Sequence, residues 1–196
     1  MESFWVGADP GGAGNFGLAF LYDGPGAPDL MTVSSVDEAV AAIAKKGEPR
    51  GLGADGPLWW SSREGAGRLV DESLRDRYKI HPGTIQSANS LRGSALVGGA
   101  MLVHRLRERL PDLRVTESHP KALLEAGFDS LLTETKHEAD NLHERDALLA
   151  AMCARKGFTN CWNTDLATER WPEEEDPLSP CFRLGPVHYF WPEPLE

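Results

Sequence analysis

Four acidic residues stand where apolar runs break off or are interrupted. Asp9 closes "FWVGAD", Asp55 closes "GLGAD", Glu117 closes "LRVTE", and Asp146 sits inside "HERDALLAAMCA". A strand that ends on a carboxylate must expose the charge, pair it or give it a cation, because burying it alone is costly. On a helix, Asp146 shares a face with Leu142, Leu149, Ala150 and Cys153, which lie three, four and seven positions away. Carboxylates gathered at one point repel one another unless a cation joins them. Such hard oxygen donors suit Mg²⁺ or Mn²⁺. Metal ions held this way can activate water and stabilise the leaving oxygen in phosphodiester cleavage. Asp9, Asp55, Glu117 and Asp146 are therefore the candidate catalytic residues. "DPGG" after Ala8 is also good turn chemistry. Taken with the other acids, Asp9 is expected to be a metal ligand rather than a turn cap.

The elements that must position these acids follow from the apolar pattern. Residues 4–9, 15–22 and 29–34 read as short strands joined by "PGGAG" and "GPGAP", which predicts an antiparallel meander. Ser35 and Glu38 have capping-box spacing, and Val36, Ala39, Val40 and Ile43 then recur on one helical face until Gly47 and Pro49. "GLGADG" predicts a fourth strand, 95–110 a helix, "LRVTESHP" a fifth strand and "KALLEAG" a short helix. A longer helix over 141–156 is capped by Asn141 and Glu144, with Gly157 as its stop. This order predicts an α/β protein with a mixed sheet and helices on its faces, the order of the RNase H-like fold. Strands one and four then lie side by side, bringing Asp9 and Asp55 together, and the last helix crosses that end with Asp146. The expected organisation is one domain over 1–161, with an insert at about 58–93. An acidic, Trp- and Pro-rich extension over 162–196 packs on the domain or on a partner. Phe182, Tyr189, Phe190 and Trp191 are its apolar anchors, and a homo-oligomer through this extension is one expectation.

The chain has 196 residues, 41% hydrophobic and 26% charged, which suits one globular domain. It holds no apolar run near the roughly 20 residues of a membrane helix. Its first residues show no basic segment followed by an apolar one. The three cysteines lack Cys-x-x-Cys spacing and read as structural, so a reducing cytoplasm is expected. A net charge of −10 argues against tight, indiscriminate nucleic-acid binding. The charge is uneven: residues 162–196 hold eight acids against two arginines, whereas 59–93 hold six bases against four acids. Arg75, Arg68, Trp59 and His119 are accordingly the candidate substrate contacts. Arginines can grip phosphate, Trp59 or Trp60 can stack on a base, and His119 can orient water. The same arginines also have the spacing of helix-surface ion pairs with Asp71 and Asp76, one tryptophan of an adjacent pair commonly belongs to the core, and His119 before a proline also suits packing. His143 reads as a surface residue.

"GADPGGAG", "GADGPLWW", "GRLVDESLRDR", "ESHPKALLEAG" and "HERDALLAAMCA" resemble, in this order, the motifs of the domain of unknown function 429 family, described as RNase H-like nucleases. The resemblance spans about residues 4–157. It implies Asp9, Asp55 and Asp146 as metal ligands with Glu117 near them, Mg²⁺ or Mn²⁺ as cofactor, and a nucleic-acid or nucleotide phosphodiester as substrate. The chain departs from those motifs at Asn15-Phe16 and at Gly56, which separates Asp55 from Pro57. Two other functions remain open at the level of sequence. One is a non-catalytic binding or interaction module. The other is an actin-like phosphate-binding ATPase remnant, with "DPGGAGN" as the phosphate cradle.

Overall fold

The computed structural model describes residues 2–60, 68–86, 93–135, 139–168, 182–183 and 186–193. Five strands form its main sheet: β1 (Phe4–Pro10), β2 (Phe16–Tyr22), β3 (Asp29–Val33), β4 (Leu52–Asp55) and, after a two-residue strand β5 (Trp59–Trp60), β6 (Val115–Ser118). Their order across the sheet is β3-β2-β1-β4-β6. The β1/β2 and β2/β3 pairs are antiparallel, whereas β1/β4 and β4/β6 are parallel. The protein is thus an α/β fold on a mixed sheet, with β1 and β4 adjacent. The parallel strands need covered faces, and the helices supply the cover. These are α1 (Val36–Lys46), α2 (Leu69–Tyr78), α3 (Gly93–Arg107), α4 (Pro120–Glu125), α5 (Ser130–Glu134) and α6 (Leu142–Phe158). Ser35 and Asn141 cap α1 and α6, each accepting from the backbone N–H three residues on.

Side chains alternate across a strand, and this assigns the faces. Gly7 of β1 and Gly53 of β4 lie under α6 so closely that a Cβ would fall 1.7 Å from the Ala147 carbonyl oxygen and 1.8 Å from that of Ala150. Pro10, of opposite parity to Gly7, meets α3 at Gly98 on the other face. Helix α6 is buried from Asp146 to Ala154 without a break.

Two departures from the sequence expectations have simple causes. Gly157 does not stop α6, which runs on to Phe158. A Cβ there would sit 1.9 Å from the Phe190 ring, so this glycine permits a ring to close on the helix. The pieces β7 (Thr164–Asp165), β8 (Phe182–Arg183) and β9 (Phe190–Trp191) form small pairs, β7 with β9 and β5 with β8. They are too short to carry a periodic signal. His188 also bridges Thr116 in parallel at the outer edge of β6, and Trp162, Leu166, Val187, Tyr189, Phe190 and Trp191 join the core. The described part of the expected extension is therefore core material. No helix among the described residues is long and apolar enough to cross a membrane.

Candidate metal centre

Asp9 and Asp55 leave the C-terminal ends of neighbouring parallel strands on the α6 face, two residues beyond the glycines on which the helix sits. Asp146, one position before the alanine above Gly7, comes down from the helix between them. Ligand atoms of Asp9, Asp55 and Asp146 all lie within 4.8 Å of one another. The strand period of two and the close helix seat together produce this convergence.

The cluster is electrostatically strained. Burial and then the charge of Asp9 push the Asp55 carboxyl up to about 8, with Asp146 adding to the rise. Burial also raises Asp9, against the opposing pull of His143. The His143 ring contacts Asp9 directly, with Nδ1 2.6 Å from Oδ2. It also fills the β1–β2 turn, where a Cβ on Gly11 would lie 2.8 Å from the ring. The turn is therefore occupied, which disfavours an open phosphate cradle. Asp146 carries two cations: Arg145 donates to Oδ1 at 2.6 and 2.8 Å, and Lys121 Nζ lies 3.9 Å from Oδ2. Ser118 pairs with Asp55 across β4/β6 and so shares its face. Its Oγ is buried with no hydrogen-bond partner among the described residues. Three hard oxygen donors, together with an orphaned hydroxyl beside one of them, fit a small divalent cation and its water.

Glu117 is not part of this cluster. It pairs with Ala54, not Asp55, in the β4/β6 register, so its side chain emerges on the opposite face. There it is fully buried and accepts from Arg68, from the Leu58 N–H at 2.8 Å and from the His119 ring at 2.8 Å. Burial would raise its carboxyl, but the Arg68 charge and hydrogen bonds, with His119, outweigh that and hold it at about 2. Arg68 also grips Asp71 and stacks 4.2 Å over the Trp59 ring. This Arg68–Glu117–Asp71–His119 group fixes the chain just after Asp55, through Leu58 and the Trp59 carbonyl. Although Asp71, Glu117 and His119 are close enough to ligate a metal, the Arg68 guanidinium already occupies both carboxylates.

Three of the four expected substrate contacts are buried by the same geometry. Arg68 is 3% exposed and committed to two carboxylates, and Trp59 is 2% exposed, so neither reaches a ligand. His119 is buried, and its Nε2 is engaged by Glu117. Arg75 donates to the Ile85 carbonyl at 2.9 Å and braces its own loop. Among the described residues, the basic side chains that border the acidic cluster are Lys121, Arg145 and His143. Sequence reasoning read His143 as surface and singled out neither of the other two. A signal was present for His143, which precedes Asp146 by three residues and so lies on a neighbouring helical face.

Comparison of the chain with protein families, with curated proteins and with solved structures yields no match.

Proposed function

We propose that this protein is a metal-dependent phosphodiesterase of nuclease type on an RNase H-like sheet. The single observation that carries the proposal is the meeting of Asp9, Asp55 and Asp146 within 4.8 Å, from two adjacent strand ends and one helix. The strand order β3-β2-β1-β4-β6, with a meander followed by parallel strands, supports the fold assignment. Asp9, Asp55 and Asp146 would hold Mg²⁺ or Mn²⁺. A bound ion would lower the pKa of a water nucleophile and offset charge on the phosphodiester. His143 orients the Asp9 carboxylate. Lys121, 59% exposed beside Asp146, and Arg145 supply positive charge next to the acids, where a substrate phosphate can be gripped. A surface of net charge −10 disfavours long-range attraction of a polyanion. Phosphate recognition therefore rests on these local cations.

The test is hydrolysis of single- and double-stranded DNA, RNA and bis(p-nitrophenyl) phosphate with Mn²⁺. Asp146→Asn is expected to reduce cleavage to background while the far-UV circular dichroism is unchanged. Lys121→Gln is expected to raise KM more than it lowers kcat, and to strengthen Mn²⁺ binding by removing a competing cation from Asp146. Cleavage that persists in Asp146→Asn overturns the assignment.

A further inference from the structure

A second polar site lies at the opposite end of the sheet. Asp146 and Phe158 are twelve residues apart on α6, about 18 Å at 1.5 Å per residue. A cavity of about 470 Å³ opens at the Phe158 end, bordered by Arg114, Asn160, Asn163, Asp165 and His188. Its size lies within the roughly 300–1,000 Å³ range of small-molecule sites.

The donors around it are unevenly satisfied. Asp165 is a fixed acceptor: Oδ1 takes the backbone N–H groups of Tyr189 at 2.8 Å and Ala167 at 3.1 Å, and Oδ2 meets His188 Nδ1 at 2.7 Å. Burial works against the Asp165 charge, but the His188 contact and the backbone donors outweigh it and hold the carboxyl below its usual range. The His188 ring is stacked on Phe190 and meets Phe158 edge-on, at 5.0 and 5.1 Å between centroids. With the ring plane fixed and Nδ1–H donating to Asp165, Nε2 is left for a ligand, and it donates to a phosphate oxygen in the imidazolium form of the ring. Arg114 Nε donates to the Arg50 carbonyl, and its guanidinium lies 4.8 Å from the Phe158 ring centre. Among the described residues no carboxylate pairs with Arg114. Burial and the neighbouring Arg50 charge both work against its positive charge. The Asn160 and Asn163 side-chain amides also have no partner among the described residues, and both face solvent.

We propose that this cavity is a binding site for a small phosphate monoester, with the phosphate held by the Arg114 guanidinium, His188 Nε2 and the Asn160 and Asn163 amides. An unneutralised guanidinium beside an oriented imidazole is suited to an oxyanion. The cavity is larger than inorganic phosphate needs, and Phe158, Phe190 and Trp162 add aromatic wall. A phosphate on a flat ring system fits better than the free ion. This site is independent of the acidic cluster, and its test needs no metal.

AMP, inorganic phosphate and adenosine are titrated in metal-free buffer, with the melting temperature as readout. AMP is expected to raise it along a mass-action curve, phosphate to raise it less, and adenosine to leave it unchanged. Arg114→Gln should weaken AMP binding about tenfold, the scale of one charge-assisted contact. Asn163→Asp, at an exposed position where the fold is not at stake, should weaken it by placing a negative charge at the rim. Lys121→Gln, at the other end, should leave it intact. No response to millimolar AMP overturns the proposal, as does an equal response to adenosine. A response lost in Lys121→Gln but kept in Arg114→Gln assigns the anion to the acidic cluster and equally overturns it.

Discussion

In the metal-free protein the carboxyl of Asp55 keeps its proton up to about pH 8, far above the roughly 3.9 of a free aspartate. Between those values the folded state binds more protons than the unfolded chain. The stability that this carboxyl contributes therefore falls as pH rises from about 4 and reaches its floor once pH passes 8. Because Asp9 is raised in the same field, the titration is shared by Asp9 and Asp55 rather than belonging to one residue. The melting temperature of the apoprotein is expected to drop across this window by several degrees, since about 1 kcal/mol moves it by roughly 2–4 °C at this chain length. Asp55→Asn should flatten the trend and raise the apoprotein's melting temperature near pH 8. Mn²⁺ should stabilise wild type most at the alkaline end and leave Asp55→Asn nearly unmoved. Differential scanning calorimetry at pH 5, 6.5 and 8, with and without Mn²⁺, is the measurement. An apoprotein whose stability rises over that range contradicts the electrostatics described. At this scale Asp9, Asp55 and Asp146 were legible because each sits on a periodic pattern whose buried face is known. Glu117 was legible only as the end of a strand. Its face depends on the β4/β6 register, and one residue of register separates the acidic cluster from the Arg68 network. Lys121 and Arg145 had no apolar pattern to mark them.

The spacing of the three carboxylates depends on how deeply α6 sits on β1 and β4. Gly7 and Gly53 let helix carbonyls approach the strand backbone, where a Cβ would overlap the Ala147 and Ala150 oxygens. Gly53→Ala cannot be absorbed by a side-chain rotation, because the atom it meets is backbone. The helix must lift, carrying Asp146 away from Asp55. The expected result is a destabilisation in the range of about 1–3 kcal/mol typical of overpacking. Mn²⁺ stabilisation should be lost even where the variant remains folded. Thermal melts of Gly53→Ala with and without Mn²⁺ check this, and an unchanged metal response would separate the helix seat from the metal site. The meander and α1 were readable from the sequence, since turn residues and a capping box are local signals. The same Asn141/Glu144 pattern marked the start of α6. Its end was misjudged because Gly157 looks like a stop when its packing partner, Phe190, is 33 positions away along the chain.

For the whole molecule, the late segment around Val187–Trp191 completes the core. Tyr189 and Trp191 are among the largest fully buried side chains. Tyr189 packs against Trp59 and His119, and Trp191 against Tyr78 and Phe128. Ending the chain after Thr168 is therefore expected to abolish the cooperative melt. Trp191→Ala alone should cost about 3–5 kcal/mol, as large-to-small aromatic substitutions do. Chemical denaturation followed by circular dichroism measures both, and a cooperative transition close to wild type in the shortened chain would contradict the packing. Sequence composition marked this region as acidic and aromatic. Its position against β6 rests on a single parallel bridge and two-residue strands, which no local periodicity can announce.

The Thr116–His188 bridge also bears on the order in which the protein is made. A ribosome delivers β6 well before the segment that covers its outer edge, and until that segment emerges the edge offers unpaired N–H and C=O groups to any neighbouring chain. Nascent copies on one messenger are thus exposed to strand exchange during that interval. That exposure ends only when Val187–Trp191 is available to close the edge.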